Sequence, residues 1–186
     1  IGSQGFKMEI KNILFTGPPR CGKSTLIHKI EQKINRPATG FFTREIRERG
    51  RRVGFSINTL DQKEGILAHE RIKSPWRVGK YGVNLSDIDR IAVPSMIPAT
   101  TDQLVVIDEI GKMELFSLKF RSLIAHLWKS DRPVIATIMR ASHPFCDHLK
   151  ADGNSRVFNL NKSNFYSILS ELRNFAESMV VLQDRK

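Results

Sequence analysis

Lys11-Asn12-Ile13-Leu14-Phe15-Thr16-Gly17-Pro18-Pro19-Arg20-Cys21-Gly22-Lys23-Ser24-Thr25-Leu26 is the stretch from which the fold is read. An apolar β-type run, Ile13 to Phe15, enters a turn with the spacing G-x-x-x-x-G-K-S, and a helical pattern starts at once. That is a P-loop in its required strand-to-helix setting. Gly17 can bend the chain out of the strand, and Gly22 carries no side chain to hold a phosphate away from the backbone. The loop amides then form an anion-binding concavity, and the following helix aims its positive end at the same place. Lys23 would bridge β- and γ-phosphates, and the Ser24 hydroxyl would ligate Mg²⁺.

Downstream, Leu26, Ile27, Ile30 and Ile34 keep helical spacing, which predicts a helix from about Gly22 to Lys33, ended by Arg36-Pro37. Gly40 to Ile46, Val53 to Ile57 and Ile66 to Ala68 read as strands, with turns near Glu48-Arg49-Gly50 and Asp61 to Gly65. Two consecutive hairpins imply an antiparallel addition to a parallel sheet. Arg44, Arg47, Arg49, Arg51 and Arg52 crowd the first hairpin. They are either a nucleic-acid or triphosphate contact or a solvated face that discourages edge pairing, and the second is favoured because no aromatic residues interleave with them.

Residues 73–84 read as a loop, and Ser86 with Asp89 as the capping box of a helix that kinks or restarts near Pro94. Leu104-Val105-Val106-Ile107 is an unbroken apolar run ending in Asp108-Glu109, which predicts a central parallel strand delivering two acids to its C-terminal end. Ser117 caps a helix to about Lys129, Pro133 to Ile138 and Arg156 to Leu160 complete the strands, and Phe165 to Met179 keep one apolar stripe. Strands alternating with helices after a P-loop give a doubly wound α/β fold.

The acids divide the work of hydrolysis. Asp108 would hold Mg²⁺, and Glu109 would orient and deprotonate the attacking water. Lys112 and Arg140 are both candidates for the cation that neutralises transition-state charge. His143, Cys146 and His148 lie close in sequence but lack a fourth ligand at zinc spacing, so they read as a loop or short helix. Asn161-Lys162-Ser163-Asn164 is similar to the guanine-reading NKxD motif, with Asn164 in place of the acid that would pair with guanine.

Across 186 residues, Lys plus Arg outnumber Asp plus Glu by 30 to 19, a net charge of +11 that favours polyanionic partners. Two isolated cysteines suit a reducing, cytoplasmic setting, and no apolar run approaches the roughly 20 residues that span a bilayer. Residues 1–7 read as a cloning remnant and 8–186 as a single domain.

Four blocks in order, GPPRCGKSTL, GFFTREIRERGRRVGF, RVGKYGV and VVIDEIGKMELFS, resemble the THEP-type nucleoside-triphosphatase family over nearly the whole chain. The resemblance implies a RecA-like α/β P-loop domain, mainly parallel with an added antiparallel segment. It also implies Mg²⁺-dependent hydrolysis of ATP, GTP, CTP and UTP with little base discrimination. Carried over by position, it assigns nucleotide binding to Gly17, Pro18, Pro19, Arg20, Cys21, Gly22, Lys23, Ser24 and Thr25. A second segment comprises Leu104, Val105, Val106, Ile107, Asp108, Glu109, Ile110 and Gly111. Arg20 and Cys21 depart from the small or apolar residues common there, and Arg20 either adds charge near the γ-phosphate or points to solvent. The expectation is a monomer that needs no nucleic acid and no membrane. The open rivals are a nucleotide or nucleoside kinase and a nucleic-acid-stimulated ATPase.

Overall fold

Apolar runs too continuous for a half-exposed sheet, such as Ile13 to Phe15 and Leu104 to Ile107, require a core on each face, and two cores are found. The computed structural model describes residues 10–33 and 36–172. Strand β1 (Asn12–Thr16) is followed by helix α1 (Lys23–Lys33), then by β2 (Ala38–Glu48), β3 (Arg51–Thr59), β4 (Glu64–His69), β5 (Arg77–Val78) and β6 (Tyr81–Val83). A continuous helical run comprises α2 (Leu85–Asp87), a π-helical segment (Ile88–Ala92) and α3 (Val93–Ser95). The rest is β7 (Leu104–Ile110), α4 (Leu118–Lys129), β8 (Val134–Ile138), α5 (Pro144–Ala151) and β9 (Ser155–Asn159), with residues 165–172 helical.

The strands form one sheet in the order β5-β6-β4-β3-β2-β7-β8-β1-β9. Strands β2, β7, β8, β1 and β9 run parallel, and β3, β4, β6 and β5 continue the sheet in antiparallel steps. Side chains alternate between the cores with the period of two that a strand imposes. Ile13, Phe15, Leu104, Val106 and Ile135 pack with α1 and the last helix, through Leu26, Ile27, Ile30, Ile168 and Leu172. Leu14, Val105, Ile107, Val134 and Ala136 face the opposite core, with Phe120, Ile124 and Leu127 of α4 and Leu149 of α5. Because β8 separates β1 from β7, the P-loop and the two acids reach the same sheet edge one strand apart.

Several local expectations are corrected. Part of the segment read as a loop is a third hairpin, in which Val78 pairs with Tyr81 across Gly79-Lys80 and β6 pairs with β4. Strands of two and three residues are too short to show a period in sequence. Gly79, at φ 58°, supplies the turn, and buried Tyr81 meets the Phe55 ring edge-on at 5.3 Å. The expected capping box is absent: Asn84 caps α2 by accepting from Asp87 N at 3.2 Å, while Asp89 accepts a 2.5 Å hydrogen bond from Ser117 Oγ. Strand β7 runs through both acids to Ile110, and the Asp108–Glu109 peptide is cis. Ser117 caps α4 as expected, accepting from Phe120 N at 3.0 Å.

The first-hairpin arginines are largely tied to neighbouring acids. Arg47 and Arg52 pair with Glu45, and Arg51 pairs with Glu70. His143 caps α5 through its ring, Cys146 is buried, and no metal-binding group of three or more acids, histidines or cysteines occurs among the described residues. No helix among those residues is long and apolar enough to cross a membrane. Residues 1–7, Ile34, and Phe175, Ala176 and Met179 of the final apolar stripe lie outside the described residues.

Candidate active site

The phosphate loop is shaped by close contacts that the sequence motif does not reveal. A Cβ on Gly17 would lie 2.3 Å from the Leu160 carbonyl oxygen, so the residue after β9 and the loop approach too closely for any side chain. Gly22 adopts φ 101°, and a Cβ there would press within 3.1 Å of the Phe165 ring. Arg20 takes a left-handed φ of 60° and is exposed, whereas Cys21 turns inward and is buried. Lys23 Nζ donates to the carbonyl oxygens of Gly17 and Pro18, both at 3.0 Å. Its ammonium is thus folded over the loop it would share with a triphosphate.

Across the gap, Asp108 is 2 % exposed. Its Oδ1 accepts a 2.5 Å hydrogen bond from Thr137 Oγ1, and its Oδ2 has no hydrogen-bond partner. Burial raises the Asp108 carboxyl above the usual carboxylate range, while the Thr137 and Ser24 hydroxyls and the charges of His28 and Lys23 pull it back. A buried unpartnered carboxylate oxygen is costly, and a divalent cation shared with the nearby Ser24 hydroxyl would satisfy it. The donor set, one hydroxyl and one carboxylate oxygen beside a phosphate cradle, suits hard, oxygen-seeking Mg²⁺.

Glu109 is also raised, first by burial and then by the neighbouring Asp108 charge, with Lys23 opposing. That direction makes it a stronger base than a solvated carboxylate. Gly17, Pro19, Lys23 and Glu109 line one end of a cleft of about 430 Å³, and Lys112 and Arg140, both exposed, line it as well. The sequence-selected residues therefore converge: loop, Lys23, Ser24, both acids and the two candidate cations all gather at the C-terminal edge of the parallel strands. Leu104 to Ile107 do not reach the site and are core residues that hold the acids in place.

Three neighbours escaped the sequence reading. Thr137 is fully buried in the otherwise apolar Val134-Ile135-Ala136-Thr137-Ile138 run, and a buried hydroxyl there must find a partner. His28 lies one turn after Ser24 on α1 and stacks on Phe42, with ring centroids 3.7 Å apart; burial lowers its pKa. Glu114, 3 % exposed, lies between Met113 and Leu115 in a short 3₁₀ turn, Glu114–Phe116. One point beside Gly111, where a Cβ would sit, lies 2.6 Å from Glu109 Oε1 and 3.0 Å from Glu114 Oε2. Burial above all, and then the Glu109 charge, pushes Glu114 well above the carboxylate range.

Comparison with known proteins shows the family and the fold. The family model described as NTPase matches residues 12–173. The nucleoside-triphosphatase THEP1 of Thermotoga petrophila is 48% identical over 161 residues, covering 86% of this chain and 89% of that protein. The crystal structure of THEP1 from Aquifex aeolicus superposes with a TM-score of 0.82 at 34% identity, covering 89% of this chain and 99% of that one. The solution structure of a human cancer-related nucleoside triphosphatase gives a TM-score of 0.76 at 30% identity, covering 95% and 99%. The RecA-like P-loop α/β architecture expected from the sequence is the one described above, and the chain belongs to the NTPase family.

Proposed function

We propose that this chain hydrolyses nucleoside triphosphates to the diphosphate and phosphate, with Mg²⁺ and with little discrimination among bases. The observation that carries the reading is the pairing of Lys23, folded over the phosphate loop, with the buried, half-partnered carboxylate of Asp108. The loop amides and Lys23 would bind the β- and γ-phosphates. Ser24 and Asp108 would hold the metal, which when bound neutralises charge on those phosphates. Glu109 takes a proton from the attacking water, its basicity raised by burial, and Lys112 supplies a positive charge for the transition state from the same cleft.

Base tolerance is supported by the turn after β9. The Asn161 side-chain oxygen accepts from Ser163 N, Ser163 Oγ and Asn164 N, and Asn164 Nδ2 donates to Asn159 O. These amides are spent on the turn rather than offered to a base edge. We expect a monomer, and the ion pairs of Arg47, Arg51 and Arg52 give no reason to require nucleic acid. Two buried free thiols suit the cytoplasm.

Phosphate release measured with ATP, GTP, CTP and UTP, each with Mg²⁺ and with a chelator in excess, tests the proposal. Release from all four that stops on chelation is expected. Release that is unaffected by chelation would refute the metal assignment.

A further inference from the structure

Hydrolysis needs one water beside Glu109, yet the cleft there is far larger than one water. It measures about 430 Å³, against roughly 15 Å³ for a single water site. A γ-phosphate takes only part of the remainder. Small-molecule pockets begin at about 300 Å³. Beyond Glu109 much of the wall is apolar, with Phe55, Leu67, Val78, Met113 and Met139, while Lys112, Glu114 and Arg140 add polar groups. Of the apolar residues, Phe55, Leu67 and Val78 come from β3, β4 and β5, in the antiparallel part of the sheet, which has no part in holding phosphate or metal.

The position of the cleft fixes what a molecule in it can do. It is lined by the first residues of the phosphate loop, Gly17 and Pro19, and by Lys23, while Ser24, Thr25 and Asp108 are not among its lining residues. It therefore opens from the γ-phosphate end of the loop. In-line phosphoryl transfer requires attack from the side opposite the departing β-phosphate. Whatever occupies the cleft is the nucleophile's neighbour, or the nucleophile itself.

We propose that the cleft is a phosphoryl-acceptor site for a ring-sized, hydroxyl-bearing molecule with one anionic group, which competes with water for the γ-phosphoryl. The inference rests on the triphosphate orientation given above. The Phe55 ring and two adaptable methionines suit a planar body. Arg140 lines the cleft, is exposed and makes no ion pair among the described residues, so it is available to the anionic group. Glu114, which hydrolysis does not use, lines the same cleft and offers a carboxyl to the acceptor hydroxyl. The acceptor oxygen forms a bond to the γ-phosphorus as its proton passes to Glu109. The bond from that phosphorus to the bridging oxygen breaks, and its electron pair leaves with the nucleoside diphosphate. The products are the diphosphate and a phosphate monoester.

The test uses the wild-type chain with Mg²⁺, ATP and para-hydroxymethylbenzoate, a ring with one hydroxyl and one carboxylate. Phosphorus NMR separates the ester from inorganic phosphate. The ester is expected to form, with its share saturating as the probe concentration rises. Val78→Trp, which fills the cleft, and Arg140→Ala, a surface change that does not threaten folding, should each lower the ester-to-phosphate ratio at least tenfold. Inorganic phosphate alone at every probe concentration overturns the acceptor site and leaves the hydrolase reading standing. An ester share that rises without saturation, or that both variants leave unchanged, also overturns it, because the alcohol then attacks from bulk solvent. If neither ester nor phosphate forms, the hydrolase reading itself fails.

Discussion

Thr137 donates a 2.5 Å hydrogen bond to Asp108 Oδ1, which fixes one carboxylate oxygen and leaves the other buried and unpartnered. The two residues belong to neighbouring parallel strands, β8 and β7, so their alignment is a product of sheet register. Thr137→Val keeps the shape and removes the donor. Changing a residue that orients a metal ligand typically costs 10- to 100-fold in metal affinity. A titration of turnover against Mg²⁺ should show a requirement raised by at least about tenfold. An unchanged Mg²⁺ dependence would leave Thr137 with only a packing role.

Glu109→Gln should separate binding from chemistry. Gln still hydrogen-bonds a water but cannot take its proton, so turnover should fall by ~10² to 10⁴. Affinity for a non-hydrolysable triphosphate should change little, because Lys23, the loop amides, Ser24 and Asp108 make those contacts. Lys23→Ala should weaken affinity and turnover together. Parental turnover in Glu109→Gln would reduce Glu109 to a structural carboxylate.

Lys112 is exposed within the catalytic cleft, outside the phosphate loop. Lys112→Ala should therefore lower the maximal rate with nearly unchanged triphosphate affinity. Steady-state rates combined with analogue binding read the two effects separately. Equal rates in variant and parent exclude it as the transition-state cation.

Turnover of ATP and GTP should be comparable. A site built to hydrogen-bond one base rejects others by about 10⁴-fold or more. Asn161 and Asn164, the nearest candidates for such a site, are occupied by their own turn. A hundredfold difference in kcat/KM between the two nucleotides would contradict this.

Glu114 should make stability fall as pH rises. Its folded-state pKa is raised by burial and by Glu109, so its contribution is full below the unfolded value of about 4.3 and is lost as pH climbs toward the folded value. Over that window each pH unit changes stability by up to about 1.4 kcal/mol. Asp108 and Glu109 act with the same sign, so the informative quantity is the difference between parent and Glu114→Gln. Denaturant melts from pH 5 to pH 8 should show a shallower decline for the variant. Parallel curves would mean that Glu114 is ionised in the folded chain.

The local parts are legible in consecutive residues. Fixed spacing marked Gly17 to Ser24, because a phosphate cradle needs glycine, lysine and hydroxyl at set intervals. Continuous apolar runs marked the central strands, because burial on both faces leaves no polar alternation. Side-chain chemistry marked Asp108 and Glu109. Whatever depends on strands meeting comes from the folded chain. It inserted β8 between β1 and β7, which brings Thr137 to Asp108 over a separation of 29 residues. It folded Glu114 back beside Glu109 around Gly111, a juxtaposition that no linear spacing announces. It also built β5 and β6, whose two and three residues carry no readable period and are held by pairing and by the burial of Tyr81. Local chemistry is written in consecutive residues, whereas the register of non-local pairs comes only from packing the whole sheet between its two cores.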